Sequence, residues 1–360
     1  MRSSRGWTSL RAGVRKSAEQ IDLIVAVYEM DRAQTEIASI RKLLTSKPRP
    51  VGWAERRQRL DEVGAIWPVA EDVALAAVDL GGVAGEWSMA PGSDPSRVLM
   101  YLHGGGYCSG SILSHRRLVT EAGRATGMRT LAVGYRLAPE HPFPAALDDV
   151  LKAWRFVHEL GIAASRIAVG GDSAGGGLTL ALIRRLIELG EERPACAWVV
   201  SPWTDLTMSG ATLVIKDAVD PIIHRGYLDE LADAYLSVGM DRTDARVSPL
   251  YADLKGFPPI LIQVGAAETL LDDAVRLAAA AGAVASHDPC LAVVERASGG
   301  WAPSPRQRRV VYPRSHLIHS DVPLREGGRC QNSSSSTYRR MCSVVCGASQ
   351  TRVMRRRSAG

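Results

Sequence analysis

The chain has 360 residues, 46% apolar, 23% charged and 6% aromatic, a balance that can bury a globular core. Its apolar runs fall short of the roughly 20 residues of a membrane span, which excludes an integral membrane protein; Ile21–Tyr28 is interrupted by Asp22 and followed by no clean cleavage site, so no secretory signal is expected. The net charge of +6 belongs to the C-terminal part: residues 284–360 hold 13 Arg, no Lys and four acidic residues, so a nucleic-acid reading would rest on that stretch alone.

Along the chain, Thr35–Ser46 and Trp53–Ile66 read as helices, separated by the breaker Lys47-Pro48-Arg49-Pro50. From about residue 85, short apolar runs (Val98–Leu102, Thr130–Val133, Ile167–Val169, Trp198–Val200 and Ile260–Val264) alternate with helical patterns. The patterns are Leu118–Thr126, Leu147–Leu160, Gly177–Leu189 and Leu270–Ala281. This alternation predicts an α/β fold, a mostly parallel sheet with helices on both faces. The segment 205–257 breaks the rhythm with helical pieces such as Leu228–Leu236 and reads as an insertion over the sheet's edge. Six cysteines with no C-x-x-C spacing exclude a disulfide scaffold and a cysteine zinc cage, and fit a cytoplasmic protein. Cys330, Cys342 and Cys346 lack a fourth metal partner, and Asp148-Asp149 read as a helix start, so neither a metal nor a cofactor is expected.

Two motifs carry chemistry. Gly171-Asp172-Ser173-Ala174-Gly175 is a G-x-S-x-G sequence between a strand run and a helical pattern, where a tight turn would expose Ser173 as a nucleophile. His103-Gly104-Gly105-Gly106-Tyr107 follows the run Val98–Leu102. Consecutive glycines there let backbone N–H groups converge on the negative oxygen that ester hydrolysis creates.

These motifs, with Ser114-His115, Tyr135–Ala146, Ser201–Asp205 and Pro259–Val264, resemble the hormone-sensitive-lipase-like bacterial carboxylesterases of the α/β-hydrolase fold, over roughly Ile37–Ala283. The resemblance implies a serine esterase with a helical cap; the expected substrate is a small-molecule ester of short to medium chain, and a homodimer is one expected state of the chain. It implies oxyanion donors at Gly105, Gly106 and Ala174. The division that follows is a leader at 1–34, cap helices at 35–84, a catalytic domain at 85–325 with a cap insertion near 205–257, and an Arg/Ser-rich tail at 326–360. A binding protein on the same fold, without a working histidine, is the alternative.

A serine hydroxyl needs a histidine to take its proton and an acid to orient that histidine. In this fold the order along the chain is Ser, acid, His. The family's acid lies three residues after the glycine that ends a late strand, which is Glu268 here; Asp272 is the other candidate. Beyond it stand His287, His316 and His319. The fragment Arg309–His319 resembles a last strand and catalytic loop, with 285–307 bulging out, and assigns the role to His319. The abrupt change of composition after Ala283 also reads as an out-of-frame or recombined ending, and the start upstream of Met30 as over-extended.

Overall fold

In a computed structural model, residues 38–284 are described, together with the backbone of 292–297 and 309–311. A nine-stranded sheet forms the centre: β1 (Ala74–Asp79), β2 (Ala84–Met89), β3 (Asp94–Leu102), β4 (Met128–Gly134), β5 (Ile167–Asp172), β6 (Cys196–Val200), β7 (Ile260–Gly265), β8 (Ala292–Ala297) and β9 (Arg309–Val311). The spatial order is β1-β2-β4-β3-β5-β6-β7-β8-β9. The pairs from β4–β3 through β7–β8 are parallel, while β1–β2, β2–β4 and β8–β9 are antiparallel. Helices α1 (Trp53–Ala65), α2 (Ile112–Thr126), α3 (Ala145–Glu159), α4 (Ala174–Leu189), α5 (Arg225–Tyr235) and α6 (Leu271–Val284) surround it.

The period of two along β3 explains why both faces are covered. Val98, Met100 and Leu102 point into a core shared with Trp154 of α3 and Leu178 and Leu182 of α4. Tyr101 packs with Val119 of α2 on the other side. All of these side chains are almost fully buried, each contributing about 1.5–3 kcal/mol of burial free energy. A third cluster joins β6 and β7 to α6 through Val199, Ile262, Ala274 and Leu277. A capping box at Ser111 starts α2, and Gly127, with φ 63°, ends it.

Residues 53–65 pack mainly against α2 and meet residues 225–235 through Arg56. Arg56 is buried, pairs with Glu230 at 2.9 Å and lies over the Trp53 ring. Arg57 donates to the carbonyls of Cys108 and Ala138, both at 2.9 Å, and to the carboxylate of Glu140. The first helix is thereby tied to the glycine loop and to the Tyr135–Ala146 segment.

The five expected strand runs fall inside β3 to β7, and each expected helical pattern overlaps a helix. Two expectations need correction. Cap helices were expected up to residue 84 and the sheet from 85, but β1 and β2 form an antiparallel pair beginning at Ala74, so the sheet starts earlier. The segment Ala-Leu-Ala-Ala-Val-Asp of β1 is mostly exposed and has little β-branched content, so its strand signal is weak. The stretch expected to bulge at 285–307 contains β8, which extends the parallel sheet beside β7. The leader and the tail from 326 lie outside the described residues.

Candidate active site

Ser173 sits between β5 and α4 with φ 50° and ψ −121°, a conformation that costs a non-glycine residue on the order of 1–3 kcal/mol. The surroundings over-determine it. Its N–H donates to the Val200 carbonyl at 2.9 Å, and its own carbonyl accepts from Gly177 at 3.1 Å and Trp203 at 2.9 Å. Gly175 is required by close approach: a Cβ there would lie 2.0 Å from the Leu102 carbonyl oxygen and 2.6 Å from that of His103. The elbow therefore rests directly on the start of the glycine loop.

That loop is shaped by Gly105, at φ 117°, where a side chain would also strike the Ser109 carbonyl at 2.2 Å. Gly104 donates its N–H to Asp172 Oδ1 at 3.0 Å, which fixes the loop to the elbow. The Tyr135 hydroxyl donates to the His103 carbonyl at 2.6 Å, and the two rings stack 4.2 Å apart. Among the described residues, the N–H groups of Gly105, Gly106 and Ala174 have no hydrogen-bond acceptor. Donors left open beside a strained serine suit a developing oxyanion. Burial and the neighbouring His115 pull His103 down to about 4, so it is neutral.

Glu268 lies three residues beyond β7, and β5, β6 and β7 are neighbours, so Ser173, Ser201 and Glu268 stand at the same end of adjacent strands. Glu268 Oε1 accepts from the Gly265 N–H at 3.0 Å. Burial raises its pKa above the usual carboxylate range; a hydrogen bond from Ser201 opposes this, and the charge of Asp220 adds to it. Asp272 is engaged elsewhere: it accepts from the Thr212 N–H at 3.1 Å and its own N–H donates to Thr212 Oγ1 at 3.0 Å. Its neighbour Asp273 is buried, accepting from the N–H groups of Thr204 and Asp205, and burial lifts it to about 7. Both acids occupy the first turn of α6, where acidic side chains favour the helix dipole.

Two supporting groups had no role assigned from the sequence, although Ser201 opens one of the resembling segments. Asp220, in the insertion, accepts from the N–H of Thr269 at 2.9 Å and its hydroxyl at 3.0 Å, tethering the acid loop to the insertion. Ser201, with φ 44°, donates its N–H to the Gln263 carbonyl at 2.7 Å. Both contacts bridge distant parts of the chain, so no local pattern announces them. Asp149, read as part of a helix start, is buried and pairs with Arg136 at 2.7 Å. His287, His316 and His319 lie outside the described residues, as do Cys330, Cys342 and Cys346.

The model of the α/β-hydrolase fold matches residues 99–295. An acetyl-hydrolase of Streptomyces hygroscopicus is 42% identical over 204 residues, covering 57% of this chain and 68% of that protein. An esterase of Acinetobacter venetianus is 36% identical over 220 residues, covering 61% and 72%. A crystal structure of an esterase from the bacterial hormone-sensitive lipase family superposes with a TM-score of 0.69 at 38% identity, covering 73% of this chain and 86% of that one. With the elbow at Ser173 and the glycine loop beside it, the chain belongs to the α/β-hydrolase family, among its hormone-sensitive-lipase-like carboxylesterases.

Proposed function

We propose that this protein hydrolyses short- to medium-chain carboxylic esters through an acyl-serine intermediate. The observation that carries this is the strained Ser173 beside the open N–H groups of Gly105, Gly106 and Ala174. Ser173 Oγ attacks the ester carbonyl carbon as its proton passes to an imidazole, and the three N–H groups hold the oxyanion. Collapse breaks the bond to the alcohol, which leaves with that proton. Water then attacks the acyl-serine by the same route and releases the acid. Glu268 accepts the second imidazole N–H. The acetyl-hydrolase relative supports the short-acyl end of the range.

The histidine in this reading is His319. β9 is antiparallel to β8, with Val311 opposite Val293, so the chain leaves the sheet heading away from the Ser173 end. The eight residues from Val311 to His319 span up to about 27 Å, against about 23 Å in a straight line, made of about 13 Å along β8 and about 19 Å across the four strand spacings from β9 to β5. The return is within reach of the chain. Replacing His319 with Ala should abolish turnover of p-nitrophenyl butyrate, whereas His287→Ala should leave it within about twofold; steady-state rates of the two variants check this. Equal activity of His319→Ala and the parent would remove the assignment.

The reading includes a cytoplasmic enzyme and a homodimer, the latter tested by sedimentation of the full chain. Among the described residues no helix is long and apolar enough to cross a membrane.

A further inference from the structure

Asp172, one residue before the nucleophile, is buried at the centre of a polar cluster that the reaction above does not use. Its Oδ1 accepts from the Tyr101 hydroxyl at 2.9 Å and from the Gly104 N–H at 3.0 Å, and its Oδ2 faces His115 Nε2 at 3.3 Å. The other ring nitrogen of His115 lies 2.8 Å from Ser114 Oγ. That hydroxyl has one proton, and it donates this proton to the Ser111 carbonyl at 3.0 Å while accepting from the Ser111 N–H at 2.8 Å. In that arrangement the Ser114 hydroxyl accepts from His115. Nδ1 then donates to the hydroxyl and Nε2 to the carboxylate, and both ring nitrogens carry protons; a neutral ring would instead take the hydroxyl proton at Nδ1 and leave the Ser111 carbonyl without it.

We propose that His115 is a positioning residue, held as an imidazolium whose ion pair with Asp172 fixes the glycine loop at Gly104 against the elbow at Ser173. The inference rests on the esterase reading for its effect on rate, though the ion pair itself does not. The groups facing His115 agree with the assignment. From the elbow comes Asp172, and from α1 comes Asp61, hydrogen-bonded to Ser111 Oγ. His103 stands 5.6 Å away between ring centres, and its Nδ1 must donate to the Gly104 carbonyl, which only accepts. Burial disfavours a charged His115, but the charge and hydrogen bond of Asp172, with smaller help from Ser111 and Asp61, outweigh it and raise its pKa above 6.5. Asp172 is held below its usual range, its burial outweighed by the His115 charge and the bonds from His115 and Tyr101. A histidine raised in this way stabilises the fold fully below its ordinary value, and that contribution is lost as pH climbs through the raised value.

Histidine-selective ¹⁵N NMR of the full chain tests the charge directly. One histidine should keep both ring nitrogens protonated past neutral pH, and that signal should be missing in His115→Gln. A neutral His115 ring at pH 7 overturns the proposal. Kinetics on p-nitrophenyl acetate read the positioning role: His115→Gln should lower kcat on the order of 100-fold with KM within about threefold, because a small misplacement of the oxyanion donors acts on the transition state. Adding Asp172→Asn to that variant should cost little more, since the two groups act as one unit. The alkaline fall in melting temperature should flatten in His115→Gln. A kcat within threefold of the parent, or full additivity of the two substitutions, overturns the proposal. If the parent turns over no ester while NMR reports the imidazolium, the ion pair stands and the esterase reading falls.

Discussion

Ser173→Ala abolishes ester turnover, lowering kcat by about 10⁴ to 10⁶, the loss typical of removing a nucleophile from a cooperating triad. The fold should survive, for two reasons. The side chain of Ser173 makes no hydrogen bond among the described residues, and the strained backbone is held by its N–H and carbonyl, which alanine keeps. Alanine at φ 50° is strained much as serine is, so the elbow has no new reason to relax. Circular dichroism melting beside steady-state kinetics separates the two effects. Activity within tenfold of the parent would show that another residue attacks.

Glu268→Gln should cost about 10⁴ in kcat, because an amide can present its N–H to the imidazole and stabilise the wrong tautomer. Asp272→Asn should cost less than about tenfold. Its partner is Thr212, 60 residues away in the insertion, and an asparagine oxygen can still accept the Thr212 N–H. The buried position of Glu268 adds a pH signature. Its carboxyl must be ionised to orient the histidine, and its pKa is raised chiefly by burial, so activity should fall as pH drops through a value above the ordinary carboxylate range. Kinetics of both variants across acidic pH check the ranking. If Asp272→Asn proves the more damaging, the acid is Asp272.

What the sequence made legible were features with a local cause. The elbow was readable because Gly171 and Gly175 flank a serine between a strand run and a helix, and the contact of Gly175 with the Leu102 carbonyl is the reason for that glycine. The glycine loop was readable because Gly105 adopts φ 117°. β3 to β7 were readable because buried parallel strands are continuously apolar. β1 was not, since its exposed alanines resemble a helix as much as a strand. Asp172 was legible only as a motif letter. Its partners Tyr101, Gly104 and His115 come from β3, the loop after it and α2, and only the folded topology brings them together. The same holds for Asp220, which reaches the acid loop from 49 residues away.

Family membership leaves one question to chemistry, whether Ser173 is activated by a working proton shuttle in this chain. Incubation of the full chain with a serine-directed phosphonate, followed by intact mass and peptide mapping, addresses it directly. The expected result is one adduct per chain on the peptide containing Ser173, formed in step with loss of p-nitrophenyl butyrate hydrolysis and missing in Ser173→Ala. A folded parent protein that takes up no phosphonate, or takes it up on another peptide while losing activity, would contradict the account.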